Sequence, residues 1–141
     1  STPLIVHWPD GVKGKNEWRQ TPGHLIDIMA TCVDVGGVDY PAEYNAVKLI
    51  PLEGESLLPV FKNDKLEERM LFFEHLRNRA VRDGQWKLVA KGLKGPWELY
   101  DLTNDRSEMH DLIEENPEKA KELIDAWEAW ALRARVKPFP K

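Results

Sequence analysis

Between residues 70 and 102 short apolar stretches alternate with turn residues, and this pattern constrains the fold more than any other part of the chain. Leu71-Phe72-Phe73-Glu74-His75 reads as a strand. Arg79-Ala80-Val81-Arg82 and Gln85-Trp86-Lys87-Leu88-Val89 flank Asp83-Gly84, a pair suited to a type I′ hairpin turn. Trp97-Glu98-Leu99-Tyr100-Asp101-Leu102 is a further strand. Strands joined by such short links form a small antiparallel sheet, which needs a helix to cover one face. That helix follows at the end of the chain. Asn116 is placed to cap it and Pro117 to open it. Ala120, Leu123, Ile124, Trp127, Trp130 and Ala134 form its apolar stripe. Pro138 and Pro140 then end the chain. The tryptophans of the stripe read as core against the sheet rather than as a sugar platform.

The first half carries different signals. Thr21 can cap a helix, Pro22 suits its first turn, and Gly36-Gly37 stops it. Leu25, Ile26, Met29, Cys32 and Val33 make the expected buried stripe, so Cys32 reads as a buried thiol. His24 and Asp27 stand three apart on this helix, where a hydrogen-bonding role outweighs a cleft contact. Pro3-Leu4-Ile5-Val6-His7-Trp8-Pro9, ended by Asp10-Gly11, reads as a strand covered on both faces. The sequence offers it no obvious sheet to join. Residues 39–69 read as an irregular connection, broken by Pro41, Pro51, Gly54 and Pro59.

Composition narrows the function classes. The chain has 141 residues, 42% of them apolar, with six tryptophans, enough for a genuine core. A net charge of −4 with scattered lysines and arginines argues against a nucleic-acid binder. One cysteine allows no internal disulfide, and no Cys/His cluster has zinc spacing. No signal peptide is visible at the start, and no apolar run reaches the ~20 residues of a membrane span. Gly92-Leu93-Lys94-Gly95 lacks the spacing of a phosphate loop and reads as a turn. Asp105-Arg106-Ser107-Glu108 resembles a helix-capping arrangement.

Four strings in order resemble the C-terminal region of type I, formylglycine-dependent sulfatases, the arylsulfatase family. They are Ser1-Thr2-Pro3-Leu4-Ile5-Val6-His7-Trp8-Pro9, then His24-Leu25-Ile26-Asp27-Ile28-Met29-Ala30-Thr31. Next comes Glu74-His75-Leu76-Arg77-Asn78-Arg79-Ala80-Val81-Arg82 followed by Trp86-Lys87-Leu88. The last is Leu99-Tyr100-Asp101-Leu102 with Asp105, Glu108 and Asp111-Leu112. The sequence departs from the family pattern at Ala30, where proline is usual, and at Asp111-Leu112, where Asn-Leu is common.

The resemblance implies an α/β chain, the C-terminal part of an alkaline-phosphatase-like sulfatase fold. Residues 1–38 would be the last strand and helix of the large domain, and 39–69 a connection. Residues 70–141 would be an antiparallel sheet packed by a long helix. Family members cleave sulfate esters with a formylglycine made from a cysteine in a Cys-x-Pro/Ser-x-Arg motif, beside a calcium ion. Cys32 is followed by Val33-Asp34-Val35 and is not that site, so no catalytic residue, metal ligand or cofactor is assigned to this chain. Calcium and formylglycine are expected in the full-length enzyme, whose missing N-terminal catalytic domain is the implied partner. The chain alone is expected to be inactive, because sulfate transfer needs a nucleophile and a cation to hold developing charge.

Within the resemblance the best substrate-binding candidates are His75, Arg77 and Asn78, which could meet an aryl or carbohydrate sulfate at the cleft border. Arginine grips oxyanions with a forked donor set, and asparagine both donates to and accepts from hydroxyls. The plainer reading is that these groups brace the hairpin. Two other functions stay open: an autonomous module binding a sulfated glycan or a protein, and a docking domain that lost catalysis. The opening strand could also support self-association. A periplasmic or secreted location is implied by family habit alone.

Overall fold

The computed structural model describes residues 2–14 and 16–137, so Pro138 and Pro140 lie outside the described residues. The chain divides into two compact units, Ser1–Glu67 and Glu68–Lys141.

The first unit is built around helix α1 (Asp27–Val35). It begins later than Thr21-Pro22 suggested, because the carboxylate of Asp27 organises its start. Asp27 is fully buried; Oδ2 accepts the His24 N–H at 2.7 Å and Oδ1 the Glu55 N–H at 3.0 Å. One turn on, the Thr31 hydroxyl donates to the Asp27 carbonyl and accepts the Leu57 N–H. The segment from Glu55 to Leu57 is thus laid against α1 by side chains standing in for a strand partner. Gly54 is required there: a Cβ would stand 2.2 Å from the Ile26 carbonyl oxygen. The connection expected to be irregular holds a minimal antiparallel hairpin, β1 (Glu43–Tyr44) and β2 (Val47–Lys48), and a one-turn helix, α2 (Leu58–Phe61).

Two expectations for this unit are overturned. The stripe through Leu25, Met29 and Cys32 is not buried; α1 buries Asp27, Ala30 and Thr31 instead. Leu25 is 78% and Met29 56% exposed, and the Cys32 thiol is exposed as well. The polar face wins because it accepts the backbone N–H groups of Glu55 and of the buried Leu57, and a buried N–H is costly to leave unpaired. The run Leu4-Ile5-Val6 forms no strand, and Ile5 is 89% exposed. A two-sided strand needs neighbours, and among the described residues none pairs with it.

The second unit matches the sheet-plus-helix reading. Strands β3 (Leu71–His75), β4 (Asn78–Asp83), β5 (Trp86–Ala90) and β6 (Trp97–Asp101) form an antiparallel meander in the order β3-β4-β5-β6. Helix α3 (Pro117–Arg133) covers one face. The period-2 pattern sends Val81, Leu88 and Leu99 to that face, where they meet Ala120, Leu123, Trp127 and Ala131. Ala131 takes the place expected for Ala134, since α3 ends at Arg133. The indole of Trp127 is fully buried and donates to the Phe73 carbonyl at 3.1 Å. Phe72 stacks on Trp130 and Trp97 meets Trp127 edge-on. Full burial of Val81, Leu88, Leu99 and Leu123 contributes about 1.5–3 kcal/mol each. The outer edge of β6 is closed by the next segment: Asp111 Oδ1 accepts the Leu99 N–H at 2.9 Å, and the Leu112 N–H donates to the Leu99 carbonyl at 2.8 Å. That arrangement protects the strand from unwanted pairing.

Local details also differ from expectation. The β4–β5 turn pairs Asp83 with Trp86, so its central residues are Gly84 and Gln85, with a positive φ only at Gly84. This is the type II′ pattern rather than type I′ at Asp83-Gly84. Asn116 stands at the N-cap position of α3, but its amide donates back to the Leu112 carbonyl. Asp105 begins no helix: its carboxylate accepts the N–H groups of Met109 and His110 and shapes a turn. Glu108 pairs with Lys87.

Candidate functional site

The three candidate binding residues come together at one point, the tip joining β3 to β4. His75 pairs with Asn78, leaving Leu76 and Arg77 as the two central turn residues. Both have left-handed backbone, φ 50° at Leu76 and 70° at Arg77, the pattern of a type I′ turn. The sequence assigned that turn type to Asp83-Gly84; the structure places it here.

The tip is held on both sides. Glu74 Oε1 accepts the Arg77 N–H at 2.7 Å, and the Asn78 amide donates to the His75 carbonyl at 3.0 Å. Asn78 Oδ1 also accepts the Gly92 N–H at 2.9 Å, tying the tip to the turn after β5. The side chain of Asn78 is therefore a brace. His75, Leu76 and Arg77 are exposed, so the imidazole and guanidinium project from a rigid turn. Such a pair offers hydrogen-bond donors to an anion or to hydroxyl groups.

Behind the tip lies a residue that sequence reasoning missed. Arg79 is buried, with its guanidinium 4.4 Å from the Trp97 ring centroid and 5.8 Å from that of Trp127. It donates to the Gly95 carbonyl at 2.9 Å, fixing the loop before β6. The alternation of β4 could have shown it: Arg79 shares a sheet face with Val81 and therefore points into the core.

The other ionised groups serve the fold. Burial and a hydrogen bond to Glu98 push the Tyr100 hydroxyl up to about 12. The N–H groups of His110 and Met109 hold the Asp105 carboxyl below its ordinary range. Burial opposes charge on Lys119, but Asp83 and Glu122 outweigh it and raise its pKa. Among the described residues no group of three or more His, Cys, Asp or Glu side chains could hold a metal ion. No helix among them is long and apolar enough to cross a membrane.

Residues 1–129 match the model of the family described as N-sulphoglucosamine sulphohydrolase, C-terminal. An uncharacterized sulfatase of Schizosaccharomyces pombe is 27% identical over 82% of this chain and 22% of its own length. Arylsulfatase K of Danio rerio is 28% identical over 86% of this chain and 24% of its own. Among solved structures, Ps i-CgsB superposes with a TM-score of 0.59 at 26% identity, covering 79% of this chain and 24% of that one. BT4656, solved with its substrate D-glucosamine-2-N,6-O-disulfate, shares the fold with a TM-score of 0.58 at 23% identity and the same coverage. The chain spans less than a quarter of each of these proteins.

Proposed function

The chain belongs to the N-sulphoglucosamine sulphohydrolase C-terminal family and is the C-terminal region of a sulfatase, and from that premise we propose that it completes a sulfuric ester hydrolase and borders its substrate cleft. In this reading the nucleophile, a formylglycine, and the calcium ion are supplied by an N-terminal catalytic domain. The chain alone is inactive.

One observation carries the cleft role: a braced, rigid tip presents His75 and Arg77 outward while Asn78 is spent on holding it. Arg77 would hold an oxyanion or hydroxyl of the bound sulfate ester by its planar fork, and His75 would donate beside it. The exposed Leu25, just before α1, and the exposed Ile28 and Met29 on it support the second part of the reading. Exposed apolar side chains spaced three and four residues apart fall on one side of a helix, and the catalytic domain is the partner proposed for them.

The test uses the chain within a polypeptide extended upstream through the formylglycine motif. His75→Ala and Arg77→Ala should each raise KM for a sulfated sugar by about tenfold, as expected for loss of a charged or polar contact. Unchanged kinetics in both variants would remove the tip from the cleft and favour a purely structural hairpin.

A further inference from the structure

The β3–β4 tip spends stability on a residue that the fold does not use. Two-residue turns with both central residues in the left-handed region favour Asn-Gly, and bulky side chains there are strained. The other short hairpins of this chain place Asn45-Ala46 and Gly84-Gln85 at their turns. The tip instead carries Leu76 and Arg77, at φ 50° and 70°. Leu76 gains no burial in return, being 79% exposed, while Glu74 and Asn78 lock the turn in place. Strain maintained by surrounding bonds, at a large apolar side chain left in water, marks a residue kept for contact with something outside the fold.

We propose that Leu76 is a specificity-determining residue: it packs on the apolar C–H face of a sugar unit whose anionic substituent Arg77 holds. The inference rests on the cleft-border reading and deepens it. Leucine offers no hydrogen bond, so it cannot recognise a sulfate or a hydroxyl, but a pyranose ring presents a face of C–H groups that an aliphatic side chain can cover. Arginine at the adjacent turn position supplies the complementary charge. The pair selects an anionic oligosaccharide of at least two sugar units, one at the reacting sulfate and one at the tip. A small aryl sulfate would not reach it.

Two measurements test this. In thermal unfolding of the 141-residue chain, the double variant Leu76→Asn with Arg77→Gly restores the preferred turn and should raise Tm by about 3–6 °C. In the upstream-extended enzyme, Leu76→Asn alone should raise KM about tenfold for a heparin-derived sulfated tetrasaccharide, with kcat retained. The inference is overturned if Tm does not rise, if the tetrasaccharide is not turned over, or if Leu76→Asn leaves its KM unchanged while Arg77→Ala raises it. If His75→Ala and Arg77→Ala are silent as well, the cleft-border reading fails with it.

Discussion

The guanidinium of Arg79 lies 4.4 Å from the centre of the Trp97 ring, inside the face of the sheet that α3 covers. A charge is thereby kept within an apolar core by one ring, a second indole and the Gly95 carbonyl, while its buried Nε finds no acceptor among the described residues. Arg79→Lys keeps the charge but loses the planar stack and the aimed donor, and should cost about 1–2 kcal/mol. Arg79→Met fills the same volume without a charge to desolvate and should cost less. Urea unfolding of both variants checks the order. A lysine variant as stable as wild type would mean that the stack contributes nothing.

Asp27 governs the first unit. Asp27→Ala leaves the N–H groups of His24 and Glu55 without their carboxylate and should cost about 2–4 kcal/mol of local stability. Hydrogen exchange of the Glu55 amide reports this directly: it should lose protection in the variant. Amides of β4 and β5, in the other unit, should keep theirs.

Among the shifted groups of the second unit, Tyr100 and Asp105 act at opposite ends of the pH range. Tyr100 titrates at about 12 when folded and near the ordinary 10.0 when unfolded. Its contribution is complete below pH 10 and is lost as pH rises toward 12. Asp105 is shifted the other way, so its contribution is present above the ordinary carboxylate pKa and lost as pH falls through the lower folded value. Ultraviolet titration should show a late tyrosinate step that Tyr100→Phe removes. Persistence of that step in the variant would assign it to another residue.

The sheet and its helix were legible because burial on one face imposes a period on each element. Val81, Leu88 and Leu99 alternate with polar residues, and Leu123 and Trp127 recur at helical spacing. Turn placement was harder, since it depends on which residue pairs across the hairpin. Pairing of Asp83 with Trp86 moves the turn onto Gly84-Gln85, and pairing of His75 with Asn78 places Leu76 and Arg77 in a conformation their chemistry disfavours. No local propensity announces such a turn. The α1 stripe is not legible because hydrophobicity alone does not show that Asp27 and Thr31 serve the N–H groups of Glu55 and Leu57. At the candidate tip the sequence does not show how the turn sorts its polar residues: Asn78 is bonded to the His75 carbonyl and the Gly92 N–H, whereas His75 and Arg77 are exposed.

In the function proposed for this chain, the nucleophile and the cation for sulfate ester cleavage lie outside these residues. Turnover of 4-nitrophenyl sulfate with calcium present tests it most directly, comparing the 141-residue chain with a version extended upstream through the formylglycine motif. Silence from the chain and sulfate release from the extended protein are the expected result. Metal-dependent release by the chain alone, in preparations free of contaminating sulfatase, would contradict it and place a separate active site within these residues.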